Sequence, residues 1–184
     1  MSTLRRLADS IHMLNERIGQ AASWLSTALM LLVVVDVIVR YYFNDTQAWI
    51  IELEWHLFGL IFLLGAGYAF RHDKHVRVDV FYAKFSERDK AWVNLIGGLI
   101  FLLPWAILLI LVSYDYALIA YRIGEGSPDP GGLPARYLIK FAVTAGMVLL
   151  LLQGLASIID SLLVLKGVPP SKHSKLYTEH QNHG

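Results

Sequence analysis

Four stretches of the chain are apolar around the whole turn of a helix: residues 21–39, 57–70, 91–112 and 141–159. A segment apolar on every side has to meet lipid or a deeply buried core. About 20 such residues cross the hydrocarbon of a bilayer, and each run is that long or nearly so. The chain is 184 residues long, and 55% of them are hydrophobic. Charged residues make up only 17% of it, against about a quarter in soluble domains. The expected fold is all-α, a polytopic membrane protein with four transmembrane helices.

The second run shows the boundaries best. It enters through Trp49, Glu52, Glu54 and Trp55 and leaves into a dense polar segment containing Arg71, His72, Lys74, His75, Arg77 and Asp79. An acidic, aromatic collar at one end and a basic one at the other is the profile of a membrane helix. Twelve Lys and Arg fall in the N-terminal segment, the loop after the second span and the C-terminal tail. Four fall on the other side: Arg40, Arg122, Arg136 and Lys140. The positive-inside rule then puts both termini in the cytoplasm.

Leu4, Leu7, Ile11, Leu14 and Ile18 recur at three- and four-residue spacing, with arginines and acids elsewhere on the wheel. That pattern predicts an amphipathic helix over 1–20, lying in the membrane interface ahead of a four-helix domain over 21–165 and a polar cytoplasmic tail over 166–184. A soluble partner-binding helix is the alternative for 1–20. The first span is too long for a signal sequence and is expected to stay in place. The third span reads as one helix over about 89–123, roughly 50 Å long, with Pro104 able to kink it. A short interfacial helix is expected near 78–85, with Ser86 capping the next helix through Asp89. The turn-rich run Gly124–Pro134 forms the outer loop, and Pro134 suits the first turn of the fourth span.

Few residues could carry chemistry. The chain has no cysteine, which excludes disulfides, thiolate metal sites and cysteine nucleophiles. No basic patch is interleaved with aromatics, so no nucleic-acid partner is expected. Asp36 and Arg40 are four apart and stack on one helix face. They are either a self-neutralising pair or a pair facing a ligand or partner, with Asp115 a second acid for Arg40. Glu52 and Glu54 open the second span, where the helix dipole favours a carboxylate. They point about 200° apart and cannot form one acid/base pair, but one of them could meet Arg40 or a neighbouring subunit. His56 is the histidine nearest a membrane core. It is either simply packed or, in a membrane cytochrome, a haem ligand, which would require a second histidine facing it. The middles of spans two to four hold no ionisable residue; Thr144, Gln153 and Ser157 are the main polar groups of the last one. Transporters place substrate and ion sites near the midplane, so this chain reads as a packing or scaffold subunit. The spacings Gly65/Ala69 and Ala142/Gly146 suit close helix contact.

The order of motifs resembles the small membrane subunit of tripartite ATP-independent periplasmic (TRAP) transporters over about residues 15–165. The match lies in Asp36-Val-Ile-Val-Arg40-Tyr41, Trp49 with Glu52, Gly65-Ala66, His75-Val-Arg77-Val-Asp79, Gly132-Leu133-Pro134 and Gln153-Gly154. The resemblance implies a non-catalytic, cofactor-free subunit in the bacterial inner membrane. It also implies two partners: a large sodium-coupled transport subunit, and a periplasmic binding protein delivering an organic acid. Under it, Asp36, Arg40, Trp49, Glu52, Glu54 and Asp115 are candidates for periplasmic docking or helix pairing, and Asp129 joins the docking group. Arg71, His75, Arg77 and Asp79 are structural residues of the cytoplasmic loop. The alternative is a membrane anchor, with or without haem, of an oxidoreductase complex.

Overall fold

The computed structural model describes residues 2–72, 85–171 and 174. These form α1 (Ser2–Phe43), α2 (Ala48–Arg71), α3 (Glu87–Gly97), a π-helical turn (Gly98–Leu102), α4 (Leu103–Arg122) and α5 (Tyr137–Leu165). There is no strand among the described residues. The four long, apolar helical stretches are α1, α2, α3 through α4, and α5, so the expected four spans are present. All of the interfacial helix near 78–85 but its last residue, and the loop residues His75, Arg77 and Asp79, lie outside the described residues, as does the tail beyond Ser171 apart from Ser174.

Helix α5 packs against each of the other helices and forms the centre of the bundle, with α1 and α2 on one side and α3–α4 on the other. Small residues set these approaches. A methyl group on Gly146 would come within 2.7 Å of the Leu63 carbonyl oxygen, so α2 and α5 touch backbone to backbone there. One on Gly98 would come within 2.8 Å of Ile158, and the Leu102 side chain fills the place beside Gly154. Gly65, singled out for the same role, faces open space. Of that pair of spacings, the one in the fourth span is the one used inside the chain.

Helix α1 runs unbroken for 42 residues, about 63 Å. No break separates the leader from the first span. The leader packs on the bundle through Ala8, Ile11, His12, Asn15, Gly19 and Ala22, all buried. This stripe is rotated by roughly 70° from the leucine stripe read in the sequence, at 100° per residue. Leu4, Leu7 and Leu14 are left exposed at its edge. A row of small and polar residues faces inward because it meets two neighbouring backbones at once; the Tyr68 ring lies directly on Gly19.

The third span is continuous from Glu87 to Arg122, with the π turn lying just before Pro104. This turn absorbs the problem. Proline removes a backbone donor and crowds the carbonyl four residues back, and a turn with i→i+5 bonding widens the helix at that point. The Leu103 N–H reaches back to the Gly98 carbonyl in this turn. Ser86 caps α3 as expected, its Oγ accepting from the Asp89 N–H at 3.2 Å. Ser86→Ala should lower local stability by about 1 kcal/mol, visible as faster amide exchange over 87–91 with no change elsewhere.

Candidate functional site

Polar chemistry gathers at the two ends of the bundle. At the end that carries the 123–136 loop, Glu52 is 3% exposed. Its Oε1 accepts from Arg136 Nη2 at 2.8 Å and from the Ser127 hydroxyl, and its Oε2 accepts from the Leu133 N–H at 2.6 Å. Arg40, one of the partners open to Glu52 or Glu54, bonds to Asp36 on its own helix. Glu52 also lies in the second turn of α2, beyond the orphan N–H groups of the helix start. It is held by loop donors, not by the helix dipole. Arg136 stacks over the Trp55 ring, 5.7 Å from its centre. Beside it, Lys140 pairs with Glu125 at 2.5 Å and sits 3.8 Å from the centre of the Tyr116 ring.

The other outer candidates are dispersed around this cluster. Asp36 is buried while Arg40 is half exposed, so the pair hides its acid and shows its cation. Trp49 is exposed on the first turn of α2, and Asp115 is exposed on α4, outside Arg40's pairing. Glu54 does not join Glu52; its Oε1 is buried with no hydrogen-bond partner. His56 donates from Nδ1 to the Glu52 carbonyl at 2.6 Å and stacks on Trp55. Pro134 precedes α5 by three residues. Ala135 adopts a left-handed backbone (φ 62°) that a helix cannot include, so α5 starts at Tyr137.

The opposite end holds a second network, which the sequence did not announce. His12, on the leader, is 3% exposed and Asp160, on α5, 1%. They meet through His12 Nε2 and Asp160 Oδ2 at 2.8 Å. A carboxylate only accepts, so Nε2 carries the hydrogen, and His12 Nδ1 then accepts from Gln153 Nε2 at 2.9 Å. Both ring nitrogens are thereby used, and neither is free to ligate a haem. Asp160 also accepts from the Ser171 N–H at 2.9 Å, which folds the chain after α5 back onto it. One turn along α1, Glu16 pairs with Arg71 at 2.6 Å and His72 at 2.8 Å, while Arg71 also donates to the His12 carbonyl. These bonds tie the end of α2 to the leader.

Between these ends a hydroxyl pair, Ser113 with Thr144 at 2.9 Å, links α4 to α5. Charge at the rims and an apolar middle is what a packing subunit needs, and the sequence signature decides whose. The family described as "Tripartite ATP-independent periplasmic transporters, DctQ component" matches residues 29–163, most of the chain. The chain belongs to the DctQ family. No curated protein matches it. As a DctQ component it is a small membrane subunit of a TRAP transporter, a class that works with a large membrane subunit and a periplasmic binding protein.

Sequence reasoning missed His12, Asp160 and Arg136 in this DctQ chain. Asp160 follows the fourth apolar run directly and lies seven residues from Gln153, on one helix face. That spacing, with His12 and Asn15 on the leader's small-residue stripe, is the signal that could have found the inner network. Arg136 and Lys140 entered only as counts for orientation. Arg136→Ala should leave Glu52 buried without its cation. We expect faster proteolysis within 124–134 and a loss of about 2 kcal/mol in thermal stability of the detergent-solubilised protein.

Proposed function

We propose that this DctQ chain is the non-catalytic bracing subunit of a sodium-coupled TRAP transporter that takes up an organic acid. It lies in the inner membrane with both termini inside, packs on the large transport subunit, and helps dock the periplasmic binding protein. One observation carries this reading: the charges are locked together at the two rims, while the flanks between them are apolar and uncovered. In the most apolar 18-residue stretches of α1 and of the α3–α4 span, only 11% of residues are buried. Flanks of this kind suit lipid and a large membrane partner, and substrate chemistry has nothing to hold there. Twelve basic residues on the His12 side against four on the Glu52 side support placing the Glu52 end in the periplasm. Arg40, half exposed at that end, is a docking residue, and Trp49 and Asp115, also exposed, are further candidates.

The test is a mild-detergent pulldown of the tagged chain from its own membranes, read by mass spectrometry and absorbance. A stoichiometric partner with a dozen or more spans, together with a periplasmic protein, is the expected result. A haem band with a dehydrogenase partner would overturn it in favour of an oxidoreductase anchor. Within the complex, Arg40→Glu should reduce uptake while the large subunit still co-purifies. Unchanged uptake would remove Arg40 from the docking surface.

A further inference from the structure

Glu52 cannot touch a partner, because the loop it binds covers it. Its carboxylate instead takes three loop donors on its two oxygens: Ser127, Leu133 and Arg136. The loop is closed again by its own backbone, Ser127 N–H to the Leu133 carbonyl at 3.0 Å and Arg136 N–H to the Glu125 carbonyl at 2.9 Å. Its tip is a turn, with the Gly132 N–H on the Asp129 carbonyl at 3.0 Å and the Asp129 N–H on Ser127 Oγ at 3.0 Å. Both backbone groups of Asp129 are thus fixed, while Asp129 and its neighbours Pro128, Pro130 and Gly131 are exposed. Gly132 has to be glycine, since a Cβ there would run into Ser127 and Glu52. A left-handed Ala135 is tolerated at the base, a conformation that persists only where its surroundings fix it. A buried acid, two cross-loop bonds and a strained residue all hold one exposed acidic tip in place.

We infer that the 126–131 tip is the contact for the periplasmic binding protein, with Asp129 meeting a cationic or N–H-rich patch on it, and that Glu52 is the positioning residue that preforms this tip. The inference rests on the proposed transporter-subunit role, which supplies the partner and puts this end outside. A loop already ordered in the free subunit loses little conformational freedom on docking, so its contacts go further toward affinity. Loosening the Glu52 clamp weakens docking without any contact being removed. Removing the Asp129 charge weakens docking without loosening the loop.

The chain has no cysteine, so a single Asp129→Cys reports on its own. A thiol-to-amine crosslinker applied to native membranes carrying this variant should join position 129 to the binding protein, as identified by mass spectrometry. Titrating that binding protein onto the purified two-subunit membrane complex should give a half-saturation about tenfold higher for Glu52→Gln and for Gly132→Ala. Asp129→Asn should match them, while loop proteolysis rises only in the first two. Co-purification of the large subunit with each variant shows that it has folded. Crosslinks from position 129 to the large subunit alone, or half-saturation unchanged in Glu52→Gln and Gly132→Ala, overturn the assignment. A wild-type complex that never retains a periplasmic protein defeats the underlying transporter reading instead.

Discussion

Asp160→Ala is expected to lower the stability of the solubilised bundle by about 3 kcal/mol, among the largest losses any single polar residue should give. The carboxylate holds His12 and the Ser171 backbone and is 1% exposed. Deleting it leaves a buried imidazole N–H and a buried amide N–H with no acceptor. Leaving two buried donors without their acceptor costs about 2–6 kcal/mol together in soluble proteins. Interhelical bonds in membranes are worth less, often about 0.6 kcal/mol, because the dissociated helices find other partners. The lower half of the first range therefore applies here. His12→Ala should cause a similar loss, and the double variant little more than either, giving a coupling of at least about 1 kcal/mol. Asp160→Asn keeps an oxygen for Ser171 and should lose about half as much. Thermal unfolding followed by near-ultraviolet dichroism reads all four. If Asp160→Ala falls within about 0.5 kcal/mol of wild type, the His12–Asp160 contact is not what binds the leader to the bundle.

That contact also shows where sequence stops being informative. Spans are legible because lipid imposes length and composition on each helix separately, and neither depends on what the helix touches. Rotation about the helix axis is set by neighbours, so the leucine stripe of the leader was visible while the small, polar stripe it buries was not. The fit of Gly19 to Tyr68 and of His12 to Asp160 exists only once α1, α2 and α5 are side by side. Glu52 was recognised as a residue of interest from its place at the helix start, yet its partners stand 75 to 84 positions away. No local rule links α2 to the base of α5 over that distance. Asp36 with Arg40 is the opposite case: both lie on one helix at a spacing that brings them together whatever surrounds them, and they do pair. The π turn was hidden for a different reason. Pro104 marks a disturbance but leaves open whether the helix bends or widens, and here Gly98 lets α3 settle against Ile158 while the turn takes up the extra residue.

Gly146→Leu is expected to abolish accumulation of the folded chain, and Gly146→Ala to lower its stability by about 2–3 kcal/mol, near the upper end for overpacking. The obstacle at Gly146 is the Leu63 carbonyl, 2.7 Å from where a Cβ would sit, and backbone cannot turn aside as a side chain can. Separating α2 from α5 enough to admit a methyl would also pull Gly67 off the Leu149 carbonyl, because both contacts lie along the same interface. It would strain the Glu52 clamp as well, which joins α2 to the start of α5 at the end that carries the 123–136 loop. The loss therefore spreads beyond the substituted turn, and amide exchange should quicken at both rims as well as near Gly146. Gly65→Ala is the matched control, in the same apolar setting, with open space where the methyl goes. It should change stability by less than about 0.5 kcal/mol in the isolated subunit. Equal losses at the two glycines would mean that α2 and α5 are not in backbone contact at Leu63, and that α5 does not stand at the centre of the bundle.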